Sequence, residues 1–199
     1  KNNKGTEDNR VRKLDYSNQL SELFYKRFLA NEEITLFSPH EVEGLYEAFG
    51  TEEFDELYEK YERATSIPKT KISARELFSS LLKERAETGR IYIMNIDHCN
   101  THSSFTDKIN MSNLCQEITL PTDPIQHIDG NGEIALCILS AINVGIVKEE
   151  ELESLCDLSV RGLEELIDFQ EYPVKAAEMS TIARRSLGIG YIGLAHFLA

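Results

Sequence analysis

Apolar residues along this chain alternate between two spacings. In some stretches they recur every three or four positions, and in others they run together, with capping and turn residues at the boundaries. Residues 11–16 predict a short strand leading into a helix over 17–30, with Leu20, Leu23, Phe24 and Phe28 on one face. Ile34 to Phe37 is a short apolar run, and Ser38-Pro39-His40-Glu41 after it has the form of a capping box with Pro at the first helical position. The helix it opens is expected to carry Val42, Leu45, Tyr46 and Phe49 and to stop at Gly50. Thr51 is placed to cap the next helix, with the stripe Phe54, Leu57, Tyr58 and Tyr61. Ser73-x-x-Glu76 opens another, with Leu77, Leu81 and Leu82 inward.

Residues 90–96 then read as a buried strand, followed by an irregular stretch over 97–111. Pro121 and Pro124 interrupt regular structure, and Gly130-Asn131-Gly132 marks a turn. Residues 134–142 are nearly all apolar, as in a strand buried on both faces. A long helix is expected over 149–170, with Leu152, Leu155, Cys156, Leu163, Leu166 and Ile167 on one stripe, which assigns Cys156 to the core. Residues 176–185 read as helix, and 187–192 as a glycine-rich apolar strand. Strands alternating with helices predict an α/β architecture around a mostly buried sheet.

Composition narrows the function classes. With 199 residues, 41% hydrophobic and 28% charged, the chain suffices for one domain with a real core. No apolar run approaches the roughly 20 residues that span a bilayer, and no signal-peptide pattern opens the chain, so no membrane association is expected. A net charge of -13 argues against direct nucleic-acid binding, which needs clustered Lys and Arg. Four cysteines without framework spacing point to a reducing compartment, where a disulfide would be transient and catalytic. The chain starts without Met and ends inside an apolar helical pattern at Phe197-Leu198-Ala199, so it is expected to be a piece of a longer protein.

The chemistry concentrates at Asn113-Leu114-Cys115-Gln116-Glu117. In an extended backbone Asn113, Cys115 and Glu117 share one face, which then carries an amide, a sulfur and a base. Cys137, inside the apolar stretch downstream, offers a second thiol; as a bland alternative it is a small buried hydrophobe. Such a set suits redox chemistry on a polyhydroxylated substrate.

Three further features weigh less. His98, Cys99 and His102 could ligate zinc, yet no second ligand pair follows at structural-zinc spacing, and hydrogen bonding that shapes the loop is the better reading. Gly188-Ile189-Gly190-Tyr191-Ile192-Gly193 matches a dinucleotide fingerprint literally, but helix rather than strand precedes it, so a tightly packed strand is expected. Arg184-Arg185 is read as a helix-end charge pair before a phosphate site.

The ordered motifs Asn9-Arg10-Val11-Arg12, Ile34-Thr35-Leu36-Phe37-Ser38-Pro39, Thr88-Gly89-Arg90-Ile91-Tyr92 and Asp97-His98-Cys99-Asn100-Thr101-His102 carry a family resemblance. They continue in Ser112-Asn113-Leu114-Cys115, Gly132-Glu133-Ile134-Ala135-Leu136-Cys137 and Arg184-Arg185-Ser186-Leu187-Gly188-Ile189-Gly190. Together they resemble the large catalytic (alpha) subunit of class I ribonucleotide reductase over essentially the whole chain. The resemblance implies a ten-stranded α/β barrel of two half-barrels with a central finger loop, of which residues 1–199 would form the central part. It implies Cys115 as the thiyl radical that removes the 3′-hydrogen of a ribonucleoside diphosphate, and Glu117 as general base. Asn113 would hold the ribose hydroxyls, and Cys137 would be one of two reducing thiols, its partner lying before Lys1.

The same resemblance implies no cofactor in this chain. A diiron-tyrosyl radical would sit on a small (beta) subunit, ATP and deoxynucleotide effectors would bind elsewhere, and the fragment alone would not turn over. Other implied partners are a second alpha subunit and thioredoxin or glutaredoxin, in the cytoplasm. The alternatives are a cobalamin-dependent or anaerobic relative, an interaction domain with a zinc-stabilised loop, and a hydrolytic thiol enzyme, which would lack a supportive His partner for Cys115.

Overall fold

The computed structural model describes residues 14–127 and 131–199, and divides into two compact units, 1–109 and 110–199. Val11 and the Asn9–Arg12 motif lie outside the described residues, as does Gly130 of the expected turn.

In the first unit, strand β1 (Tyr16–Leu20) pairs in parallel with β4 (Ile91–Asn95), Tyr16 opposite Ile91. The expected helix over 17–30 therefore starts later. Ser21, in extended conformation, accepts a hydrogen bond from the Phe24 amide and caps α1 (Glu22–Ala30), leaving 16–20 free to enter the sheet. Leu23 and Phe24 are buried, and Leu20 and Phe28 pack on the cluster that holds Phe24. Strand β2 (Glu33–Phe37) pairs antiparallel with β3 (Lys69–Ser73), a strand the apolar pattern misses because Lys69, Thr70 and Lys71 are polar.

The single helix expected after Ser38 is instead a 3-10 turn, Pro39–Glu41, and a short α2 (Leu45–Ala48). Gly44 between them takes φ +76°, a left-handed conformation that breaks the helical path. Ser38 makes no capping hydrogen bond, and Tyr46 is exposed. Helix α3 (Phe54–Arg63) buries Phe54 and Tyr58 as its stripe predicts, with Leu57 and Tyr61 packed alongside. The Ser73 hydroxyl accepts from the Glu76 amide and caps α4 (Ala74–Thr88); Leu77 packs inward whereas Leu82 is exposed.

A polar cluster ties α1, β2 and α3 together. Arg27 donates from both terminal nitrogens to the two Glu62 carboxylate oxygens at 2.6 Å, and Thr35 Oγ1 donates to the same carboxylate. The guanidinium hydrogen bonds hold the Glu62 carboxyl down at about 2. Tyr58 completes the join, accepting from the Thr35 amide and donating to its carbonyl.

Residues 97–101, expected to be irregular, belong to helix α5 (Ile96–Thr101), which also takes Ile96 from the end of the expected strand and buries it against Met94 and Ile109. Asn100 fixes the loop beyond it, accepting from the Ile109 amide and donating to the Ile96 and Ile109 carbonyls. Asp97 caps α1 by accepting from the Glu22 amide at 2.6 Å. Hydrogen bonding thus shapes this loop. Among the described residues, no group of three or more His, Cys, Asp and Glu is placed to hold a metal ion.

The second unit is built on β5 (Ile138–Asn143) and β6 (Leu187–Ile192), parallel partners with Ile138 opposite Leu187. A 3-10 turn (Glu149–Glu151), α6 (Leu152–Phe169) and α7 (Lys175–Arg184) connect them, and α8 (Leu194–Phe197) follows. Strand β5 begins at Ile138, later than the apolar run, and is not buried on both faces, since Leu139 remains 55% exposed. Helix α6 buries Leu163 and Ile167 against Ile138, along the line through Leu155 and Ser159 four residues apart. Cys156 lies one residue off that line and is exposed, so it is not a core residue. Leu166 is turned outward for the same reason.

The glycines of 188–193 lie within β6 and at its end. A Cβ at Gly188 would come within 2.5 Å of Leu139 Cδ2 and 3.1 Å of Ile118 Cδ1, so close packing explains the glycine there. The arginines before the strand both have carboxylate partners. Arg184 pairs with Glu133 at 2.6 Å, and Arg185 with Glu164 and Asp168. The architecture is mixed α/β. Its described strands form three two-stranded sheets, two parallel and one antiparallel. No helix among the described residues is long and apolar enough to cross a membrane.

Candidate active site

The segment carrying Asn113, Cys115 and Glu117 is a turn, not the extended strand that the face argument assumed. The Gln116 amide donates to the Asn113 carbonyl at 3.1 Å, and Gln116 takes φ +62°. Leu114 and Cys115 occupy the middle of this turn and are exposed at its tip. Asn113 is the anchored end, only 1% exposed. The turn still brings the predicted groups together, because residues at i and i+4 approach once the backbone folds. Asn113 Nδ2 donates to Glu117 Oε2 at 2.8 Å.

Cys137 joins them from the residue just before β5, not from mid-strand. Its thiol is close enough to the Asn113 and Glu117 side chains and to Cys115 for each of them to act on its proton. Burial pushes the Cys137 thiol up; the Glu117 carboxylate and Cys115 add to that rise, and the Asn113 amide opposes it. A thiol so placed keeps its proton and presents S–H beside a carboxylate. That favours hydrogen or proton donation over attack as a thiolate.

The backbone approach to Cys137 is fixed from the other side. The Ile134 amide donates to the Ala176 carbonyl, and Glu133 receives two hydrogen bonds from Arg184. These contacts hold the segment ahead of β5 against α7. The hydrolytic alternative finds little here: among the described residues no hydrogen bond joins a histidine to Cys115.

Sequence reasoning did not find the contribution of Ser112. Its hydroxyl donates to Asn113 Oδ1 at 2.7 Å, the other end of the amide that serves Glu117. The available signal was a hydroxyl directly preceding a turn-forming Asn, a pairing common in local side-chain hydrogen bonding.

A buried amide, a carboxylate, an exposed thiol and a half-buried thiol thus meet at one loop and one strand end in the second unit. The description "ribonucleotide reductase, barrel domain" fits the chain over residues 1–199, and the chain belongs to that family. It is 58% identical over its whole length to the ribonucleoside-diphosphate reductase subunit alpha of Haemophilus influenzae, and 54% to ribonucleoside-diphosphate reductase 1 subunit alpha of Escherichia coli. The large subunit of the Danio rerio enzyme is 36% identical over 98% of the chain. The chain spans 27% of the length of each of the two bacterial relatives, so it corresponds to about a quarter of such a subunit.

Proposed function

We propose that this chain is the central part of the catalytic barrel of a class I ribonucleoside-diphosphate reductase alpha subunit. In the whole enzyme it reduces ribonucleoside diphosphates to deoxyribonucleoside diphosphates. The observation that carries the reading is the meeting of Asn113, Glu117 and the Cys137 thiol beside the turn that exposes Cys115. The two parallel strand pairs, each connected through helices, are of the kind a ten-stranded α/β barrel would contain, with the 113–117 turn as the tip of its finger loop.

In this mechanism the Cys115 sulfur, as a thiyl radical, takes the 3′-hydrogen of the ribose and leaves a carbon radical. Glu117 accepts the 3′-hydroxyl proton, which makes that radical a stronger electron donor. The bond from C2′ to its oxygen then breaks, and the oxygen leaves as water on gaining a proton from the Cys137 thiol. Cys137 and a second thiol on another strand supply two electrons and close into a disulfide. Cys115 returns its hydrogen to C3′ and is regenerated. The substrate thus loses one oxygen, and two thiols become one disulfide and one water. Asn113 contributes by holding the hydroxyls in register with both reacting groups.

The oxidising equivalent at Cys115 would come from a diiron-tyrosyl radical cofactor on a small (beta) subunit. Thioredoxin or glutaredoxin would reopen the disulfide. The remaining parts of the proposal are an alpha homodimer, ATP and deoxynucleotide effectors bound outside this chain, and a cytoplasmic location. The test is Cys115→Ser in the full-length subunit: deoxynucleotide formation should vanish while diphosphate binding persists. Undiminished turnover would end the reading.

A further inference from the structure

We propose that Ser112 is a positioning residue for this reaction, and that its hydroxyl locks the Asn113 amide with its nitrogen toward Glu117 throughout the catalytic cycle. The inference rests on the reductase reading and deepens it. Asn113 is 1% exposed, so its amide orientation is set by protein neighbours and not by water. Two hydrogen bonds set it, one at each end. Ser112 Oγ donates to Oδ1 at 2.7 Å, and Nδ2 donates to Glu117 Oε2 at 2.8 Å.

While Glu117 is ionised, the carboxylate alone would choose this orientation, because the reversed amide would set two acceptor oxygens against each other. The preference weakens at the step where Glu117 has taken the 3′-hydroxyl proton. A protonated carboxyl carries a donor that would draw Oδ1 toward it, and the amide would gain by rotating half a turn. Ser112 opposes that rotation, because its hydroxyl would have to turn over and accept from the amide nitrogen, and the 2.7 Å separation suits O–H···O and is at the short limit for N–H···O. Ser112 therefore acts late, when Glu117 is neutral and Cys137 must give up its proton.

A residue acting at that stage affects turnover more than substrate capture. In the full-length reductase, Ser112→Ala should lower kcat about tenfold or more, with KM for the diphosphate within about twofold. Ser112→Thr keeps the hydroxyl and should recover most of the lost kcat, despite its added methyl. The proposal is overturned if Ser112→Ala turns over like the parent. It is equally overturned if the alanine variant loses thermal stability and KM together and threonine does not rescue it, which would make Ser112 a packing residue. Failure of the reductase reading would appear separately, as turnover that survives Cys115→Ser, and would overturn both.

Discussion

Replacing Asn113 by alanine removes a side chain that is almost wholly buried and that makes a polar contact at each end. The donation to Glu117 is a hydrogen bond to a charged group, worth about 1.5–3 kcal/mol, and the bond from Ser112 is a neutral one worth about 0.5–1.5 kcal/mol. Only the part realised more strongly in the transition state slows the reaction. The contact to Glu117 orients the reacting groups directly and belongs to that part, whereas Ser112 acts through it, so its bond is not counted a second time. Taking the first alone, kcat/KM should fall about 10- to 150-fold, at about 1.4 kcal/mol per tenfold. The assay is steady-state conversion of a labelled ribonucleoside diphosphate by the full-length subunit with its small subunit and reductant. Alkylation of Cys115 serves as a control, because that thiol is exposed at the turn and its labelling should change little. A variant within about threefold of the parent would refute the claim that Asn113 orients the reacting groups.

The other predictions bear on turnover, packing and acid stability. Cys137→Ser should block repeated turnover with thioredoxin as reductant, because the disulfide cannot close; normal cycling would remove Cys137 from the mechanism. Gly188→Val should destabilise the β5–β6 pair by about 1–3 kcal/mol through overpacking against Leu139 and Ile118, seen as faster hydrogen exchange of β5 amides; unchanged protection would show that the strands yield freely. Glu62→Gln should weaken the α1–β2–α3 join by about 1–3 kcal/mol near neutral pH. The folded Glu62 carboxyl lies at about 2, below its unfolded value near 4.3, so the stabilisation is complete above about pH 5 and is lost as pH falls toward 2. Local hydrogen exchange at Thr35 in parent and variant should therefore converge in acid, and parallel curves at every pH would remove the ion pair from the account.

Much of the fold could be read where one interaction dominates. The α3 stripe of Phe54 and Tyr58 and the Ser73 cap of α4 are local, and both form as their spacing implies. Strand β3 was illegible because Lys69, Thr70 and Lys71 show no apolar alternation; pairing with β2 supplies its order. The helix expected after Ser38 fails at Gly44, whose left-handed conformation no periodicity reveals. Cys156 was misplaced by about 100° of helix rotation, the difference between the stripe and its neighbour. At the site, the residue types were legible and their geometry was not. Asn113 and Glu117 meet because a turn closes between them, and Cys137 comes to them from a strand end twenty residues onward in the chain, a proximity that tertiary packing alone decides. Ser112 escaped because its role depends on which way a buried amide points.

The central claim is that the sulfurs of Cys115 and Cys137 face one bound sugar. It is tested most directly by alkylating the full-length subunit with and without a ribonucleoside diphosphate and mapping each cysteine by peptide mass. The account predicts that substrate slows modification of Cys115 and Cys137 together and leaves exposed Cys156 unaffected. Protection of neither active-site cysteine, or of only one, would contradict it.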